Sequence, residues 1–261
     1  MEWRSGEVLL HYSEYGDGVP LVALHGAGVD HRDIEAALEA SLEGMTGAAP
    51  YRRIYPDLPG MGHSSAEGLD SNDDVVDLLI EFIEHVAGGP ALLVGHSYGG
   101  YLARGVAARQ PDAVLGLALI CPIGETTRDV PAQVAVRQDD DAYDELDPSD
   151  HDGFDGYFVV RTAANARRYR DQVVPGTRLV DESAFGRIAA AWAIDLGGTG
   201  FDGPTLIVAG RQDSVVGFSD AMALQASYPH ATLAVVDGAG HALPHERPEL
   251  LGALLADWAR H

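Results

Sequence analysis

Residues 95–99 read Gly-His-Ser-Tyr-Gly, behind the apolar run Ala91-Leu92-Leu93-Val94 and ahead of the helix-like stretch Gly100-Tyr101-Leu102-Ala103. A serine between small residues at a strand-to-helix turn can be held in a strained conformation with its hydroxyl raised above a sheet edge. Ser97 is the candidate nucleophile. A serine hydroxyl attacks poorly near neutral pH unless a base takes its proton and a third group orients that base. The apolar run 204–210 leads into Arg211-Gln212-Asp213, and the run 231–236 leads through Asp237-Gly238-Ala239-Gly240 into His241. Asp213 and His241 thus each follow a predicted strand. Glu125, after the predicted strand that ends near Cys121, is a competing acid. Acyl transfer also builds negative charge on a carbonyl oxygen, which preorganised N–H donors stabilise. The run 20–24 opens into His25-Gly26-Ala27-Gly28, whose small residues admit a substrate oxygen. The backbone N–H groups of Ala27 and Tyr98 are the expected donors.

These strings, together with Asp57-Leu58-Pro59-Gly60-Met61-Gly62-His63-Ser64, span nearly the whole chain. With them the chain resembles the α/β-hydrolase fold superfamily, whose nucleophile, acid and base follow the chain order Ser97, Asp213, His241. The resemblance implies a mostly parallel sheet of about eight strands flanked by helices, with an inserted helical cap. We expect a hydrolase core at 1–121 and 196–261 and the cap at 122–195, where acidic clusters and helix-like stretches at 163–170 and 183–193 replace the strand pattern. Serine at position 97 argues against branches that use an aspartate nucleophile. It leaves a cofactor-independent hydrolase of a small carboxylic ester, lactone or thioester as the leading expectation. Carbon–carbon bond hydrolysis or a lyase-like use of the same triad is the alternative, and a ligand-binding, receptor-like member with little turnover is a third reading.

A chain of 261 residues can bury a sizeable core in one large domain. Its 40 acidic residues face 17 basic ones, all arginine, for a net charge of −23. A field of that sign repels phosphate backbones and anionic lipid heads, so neither nucleic acid nor a membrane surface is an expected partner. Either a saline habitat or coding bias accounts for the acidity. The expected partner is a small neutral or weakly polar acyl compound, with the protein a monomer or homodimer. The single Cys121 cannot form an internal disulfide, no clustered metal-ligand spacing occurs, and no cofactor is expected. Residues 1–7 lack the basic and apolar pattern of a signal peptide and no apolar run approaches the ~20 residues that span a bilayer, which together point to the cytoplasm.

The remaining candidates have competing structural roles. His25 and His96 lie beside the expected site and suit either the substrate pocket or backbone support. Arg161, Arg167, Arg168 and Arg170 fall along one expected helix, where one of them could hold a substrate carboxylate or all could pair with nearby acids. Phe154, Tyr157, Phe158 and Trp192 are expected in the pocket or in the core. Around 71–86, the spacing of Val75, Val76, Leu79, Phe82 and Ile83 predicts an amphipathic helix capped by Ser71.

Overall fold

The computed structural model describes residues 1–42, 51–124, 129–196 and 201–260. In chain order the elements are β1 (Glu2–Ser5), β2 (Val8–Tyr15), β3 (Val19–Leu24), α1 (His31–Leu42), β4 (Tyr51–Pro56) and α2 (Asn72–Phe82). Next come β5 (Ala91–His96), α3 (Tyr98–Arg109), β6 (Val114–Ile120), β7 (Arg137–Gln138), α4 (His151–Tyr157), β8 (Val160–Arg161), α5 (Ala163–Arg168) and α6 (Val174–Thr177). The chain finishes with α7 (Glu182–Ala189), β9 (Thr205–Gly210), α8 (Ser219–Leu224), β10 (Ala231–Val236), α9 (Leu243–Glu246) and α10 (Pro248–Trp258). Eight strands form one sheet in the order β1-β2-β4-β3-β5-β6-β9-β10. From β4 to β10 neighbours run parallel, and β2 closes the other side antiparallel to β1 and β4.

Alternate side chains of the central strands feed two cores. Val22, Leu24 and Leu93 pack under α2 and α3, while Leu21, Ala23, Leu92 and Val94 pack under α1 and α10. Strands covered on both faces read as continuous apolar runs, which is why β3, β5, β6 and β9 were legible in the sequence. The predicted helix near 71–86 is α2. Its Ser71 hydroxyl accepts from the Asp74 N–H at 3.1 Å, with Asp73 and Asp74 in the favourable first turn. A π turn at 83–87 continues it to Gly88, whose φ of 73° ends the helix.

Strand register decides where the loops meet. Leu24 pairs with Gly95, His96 with Ile120, Ile120 with Val208, and Gly210 with Val236. The loops leaving β3, β5, β9 and β10 therefore open at one carboxyl edge, the usual ligand-binding edge of a parallel sheet.

The segment 129–196 lies between β6 and β9. Its described residues hold four α-helices, α4 to α7, the two-stranded pair β7-β8 and an aromatic cluster of Phe154, Phe158 and Tyr169, which packs against Val29 and Ala242 of the core loops. Two expectations need correction here. Arg161 is not on a helix with Arg167, Arg168 and Arg170: Thr162 caps α5 by accepting from the Asn165 N–H at 3.2 Å, so the helix starts after Arg161, which sits in β8. Likewise α7 ends at Ala189, and Trp192 lies beyond it, held through its carbonyl by the Asn72 side-chain amide at 2.7 Å. The sequence reading also missed α1, whose apolar stripe Ile34, Ala37 and Leu38 is short and interrupted by acids. Among the described residues no helix is long and apolar enough to cross a membrane.

Candidate active site

Ser97 occupies φ 53°, ψ −115°, between the end of β5 and the first turn of α3. Such a backbone costs a non-glycine residue on the order of 1–3 kcal/mol and persists only where the surroundings enforce it. Here backbone hydrogen bonds and close backbone contacts do the enforcing. The Ser97 N–H donates to the Ile120 carbonyl at 2.9 Å, and its carbonyl accepts from Tyr101 and Ile123, each at 3.2 Å. A Cβ at position 95 would collide with the Gly99 carbonyl, and one at position 99 with the Leu24 carbonyl. The two glycines flanking Ser97 are thus demanded by the packing of the turn. Tyr98 is the first residue of α3, so its N–H has no intrahelical acceptor and sits at the positive end of the helix dipole.

Asp213 follows β9 and is buried. Its Oδ1 accepts from the N–H groups of Val215 and Val216, both at 2.9 Å, and its Oδ2 accepts from His241 Nδ1–H at 2.8 Å. Burial alone would raise this carboxyl; the charge and hydrogen bond of His241 and the two backbone donors outweigh it and hold Asp213 below the ordinary carboxylate range. Because Nδ1 is committed to Asp213, Nε2 is the free ring nitrogen of His241. Two further groups brace the His241 backbone. Glu246 Oε2 accepts the Gly240 N–H at 2.7 Å, and the His96 Nε2–H donates to the His241 carbonyl at 3.0 Å. Oε1 of Glu246 meanwhile accepts from Val159 and Val160 at 2.7 and 2.9 Å, tying β8 to the His241 loop. Burial raises the Glu246 carboxyl despite these three donors.

A cavity of about 350 Å³ opens over Ser97, within the size range of small-molecule sites. Ala27, His96, Ser97, Tyr98, Trp192 and His241 all line it. Gly26 stands at the wall beside the nucleophile, a Cβ there lying 3.4 Å from Ser97 Cβ. The Tyr98 ring stacks on Trp192 at a centroid separation of 5.5 Å, and its hydroxyl donates to Asn72 Oδ1 at 2.6 Å.

Three expected pocket residues lie elsewhere. His25 is buried between the Gly26 carbonyl, 2.7 Å from Nδ1, and the Leu58 N–H, 2.8 Å from Nε2, so it braces the two loops that meet there. Burial lowers its pKa, in keeping with a neutral ring. Phe158 is buried in the aromatic cluster behind the cavity. The Arg161 guanidinium faces away, bonded to the Phe158 and Asp155 carbonyls at 3.3 and 3.1 Å and to the Asp155 carboxylate at 3.2 Å. Arg167 and Arg170 do share a face, both pairing with Glu145 at the surface. Glu125 lies outside the described residues.

The residues that sequence reasoning missed are Asp33 and His245. Asp33, in the first turn of α1, lines the cavity and takes the His245 Nε2–H at 2.8 Å and the Tyr157 hydroxyl at 3.3 Å. Burial works to raise this carboxyl, but the hydrogen bond and charge of His245 prevail and hold it below the ordinary value. No local motif marks either residue, since they are 212 positions apart.

His96, Cys121 and His241 bring potential ligand atoms within 4.8 Å of one another. Their chemistry suits a metal poorly. Burial and the Asp213 charge push the Cys121 thiol well above its ordinary pKa, and His241 Nδ1 already serves Asp213. A second group of His11, His31 and Asp57 is closed by hydrogen bonds: the Asp57 oxygens accept from His31 N–H and Nδ1, His63 N–H and His11 Nδ1 at 2.6–3.1 Å. A larger hollow of about 450 Å³ lies at the opposite edge of the sheet, against the starts of β9 and β10, and neither Ser97 nor His241 lines it.

Comparison with known proteins places this geometry. The chain is 36% identical over 111 residues to (E)-2-((N-methylformamido)methylene)succinate hydrolase of Acinetobacter baylyi, a match covering 42% of this chain and 40% of that protein. It thus spans about two fifths of that curated relative's length. Identity to 2-hydroxymuconate semialdehyde hydrolase of Pseudomonas putida is 26%, across 94% of this chain and 88% of the relative. Among solved structures, an alpha/beta superfamily hydrolase from Oenococcus oeni superposes with a TM-score of 0.85 at 26% identity, over 100% of both chains. Residues 21–254 match the family model described as the alpha/beta hydrolase family, and with its strand order and strained elbow the chain belongs to that family.

Proposed function

We propose that this protein is a cofactor-independent serine hydrolase acting on a small carboxylic ester, lactone or thioester. The observation that carries the reading is Ser97, held at φ 53° on the wall of a cavity that also exposes His241, whose Nδ1 is locked to buried Asp213. In the proposed reaction His241 Nε2 takes the Ser97 hydroxyl proton as Oγ attacks the carbonyl carbon. The N–H groups of Ala27 and Tyr98 receive the charge that moves onto the carbonyl oxygen. His241 then passes its proton to the departing alcohol or thiol, and water repeats the sequence on the acyl-enzyme, returning Ser97 to its starting state. Asp213 fixes the tautomer and stabilises the imidazolium. The segment 129–196 acts as the cap, with Tyr157, Tyr169 and Trp192 closing the cavity from above.

Carbon–carbon bond hydrolysis is the second reading, favoured by the likeness to 2-hydroxymuconate semialdehyde hydrolase along 94% of the chain. The cavity argues against an anionic substrate of that kind, because among the described residues no arginine lines it and Asp33 does. The test is intact-mass spectrometry after brief exposure to a fluorophosphonate, followed by turnover of p-nitrophenyl esters. A single adduct absent from Ser97→Ala, with turnover that vanishes in the same variant, is the expected result. A well-folded native chain that takes up no adduct and turns over no ester overturns the proposal and brings the ligand-binding reading forward.

A further inference from the structure

The wall of the cavity beside Ser97 holds two buried acceptors that face each other with no donor between them among the described residues. His96 Nε2 must carry its proton, because its partner is the His241 carbonyl at 3.0 Å. Burial, reinforced by the nearby His241, lowers the His96 pKa to about 4, so at neutral pH the ring is neutral and Nδ1 is a bare lone pair. Among the described residues Nδ1 has no hydrogen-bond partner. It faces Asp33 Oδ2 across 3.9 Å, too far for a direct bond. The Asp33 carboxylate has about four lone-pair sites and satisfies only some of them with His245 and Tyr157.

Two buried acceptors in opposition are unfavourable unless a donor joins them. A single nitrogen about 2.9 Å from each could bond to both, provided it carries two protons. A primary ammonium does so, and its charge offsets that of Asp33. A hydroxyl, with one proton, serves one acceptor at a time. The surroundings favour a cation further: among the described residues Asp33 is the one Asp or Glu of the cavity lining and no arginine joins it, and the whole chain carries −23. The subsite is also close to the reacting centre, since a Cβ at Gly26 would touch both His96 Nδ1 and Ser97 Cβ at 3.4 Å.

We propose that Asp33 and His96 form a subsite for an ammonium group of the substrate, so that the preferred acyl group is short and bears a primary amine near its carbonyl. This deepens the ester-hydrolase reading and rests on it. Asp33 is then a specificity-determining residue. Tyr157 and His245 hold its carboxylate in place.

The test compares kcat/KM for three methyl esters of matched size: the β-alanine ester, the 3-hydroxypropanoate ester and methyl butyrate, with monomethyl succinate as the anionic counterpart. The native enzyme should prefer the amine over butyrate on the order of tenfold to hundredfold, as for a hydrogen bond to a charged group, with the hydroxyl ester between and the succinate slowest. In Asp33→Asn the carboxylate charge that pairs with the ammonium is gone while the side-chain shape is kept, so the amine-to-butyrate ratio should fall to about one whatever the absolute rates. Equal rates for the amine and butyrate in the native enzyme would mean that resident water satisfies the two acceptors, and the subsite is lost. A preference retained by Asp33→Asn also overturns it. Calorimetric titration of Ser97→Ala with the β-alanine ester and with butyrate keeps the question separate from catalysis. If the amine binds at least tenfold tighter there while no ester is turned over by the native chain, the subsite stands and the hydrolase reading falls; turnover of butyrate without an amine preference has the opposite meaning.

Discussion

Two buried Asp–His pairs border the same cavity with the same 2.8 Å separation, yet they differ in what they leave free. In the first, Asp213 takes Nδ1 of His241, and Nε2 is left over on a ring that lines the cavity together with Ser97. In the second, Asp33 takes Nε2 of His245, and Nδ1 is left buried without a partner among the described residues. The first pair sits on loops at the ends of β9 and β10, where strand register carries both residues to the carboxyl edge. The second joins α1 to α9, with Asp33 presenting its carboxylate to the cavity instead of its histidine. An Asp–His hydrogen bond is therefore not a catalytic signature by itself. The elements that carry the pair decide which of its two residues lines the cavity.

That contrast can be broken by experiment. The largest expected effect is Ser97→Ala, which should lower kcat by up to about 10⁶-fold, as removal of an activated serine does elsewhere, measured as residual p-nitrophenyl ester turnover. Next, Asp213→Asn should cost on the order of 10⁴-fold in kcat by disturbing the His241 tautomer. Asp33→Asn should cost less than about a hundredfold on a plain ester, as expected where substrate contacts change and the triad does not. Equal kcat losses for the two aspartate variants would erase the distinction drawn between the pairs.

In acid the two pairs should instead behave alike. Both carboxyls are held below their ordinary value of 3.8, so the stability they supply is complete above that value and is lost as pH falls through it toward their folded pKa. Thermal melts between pH 7 and pH ~3 should show a falling Tm, with a shallower acid slope in either aspartate variant. Glu246 has the opposite sign. Its carboxyl is raised above 4.5, so it favours folding most when protonated and contributes less as pH rises through the raised value. Glu246→Gln sets an amide N–H against a backbone N–H and should cost about 1–3 kcal/mol by urea unfolding at pH 7. The smallest effect belongs to Arg161→Ala. Its guanidinium faces away from the cavity, so the ratio of anionic to neutral ester turnover should change by less than about twofold. A selective loss on the anionic ester would restore Arg161 to the pocket.

The legibility of the site follows the same division. Ser97, Asp213 and His241 could be read because each ends an apolar run long enough to mark a buried strand, and parallel strands deliver their ends to one edge. Gly95 and Gly99 could be read because a sharp turn excludes side chains. Arg161 was misplaced because Thr162 as a helix cap competes with a helical pattern that runs through it. His25, Phe158 and Trp192 were ambiguous for another reason: residue type does not say whether a ring at a loop faces a cavity or a core.

The sequence by itself determined the sheet, the elbow and the Ser97, Asp213, His241 order, because periodicity and turn chemistry act over a few residues. Only the tertiary structure decided which side chains line the cavity. Asp33 and His245 are 212 positions apart, and Asn72 reaches the Trp192 carbonyl across 120. Contacts of that span depend on how helices and the 129–196 segment pack over the sheet edge, a property of the assembled core that no short stretch of sequence contains.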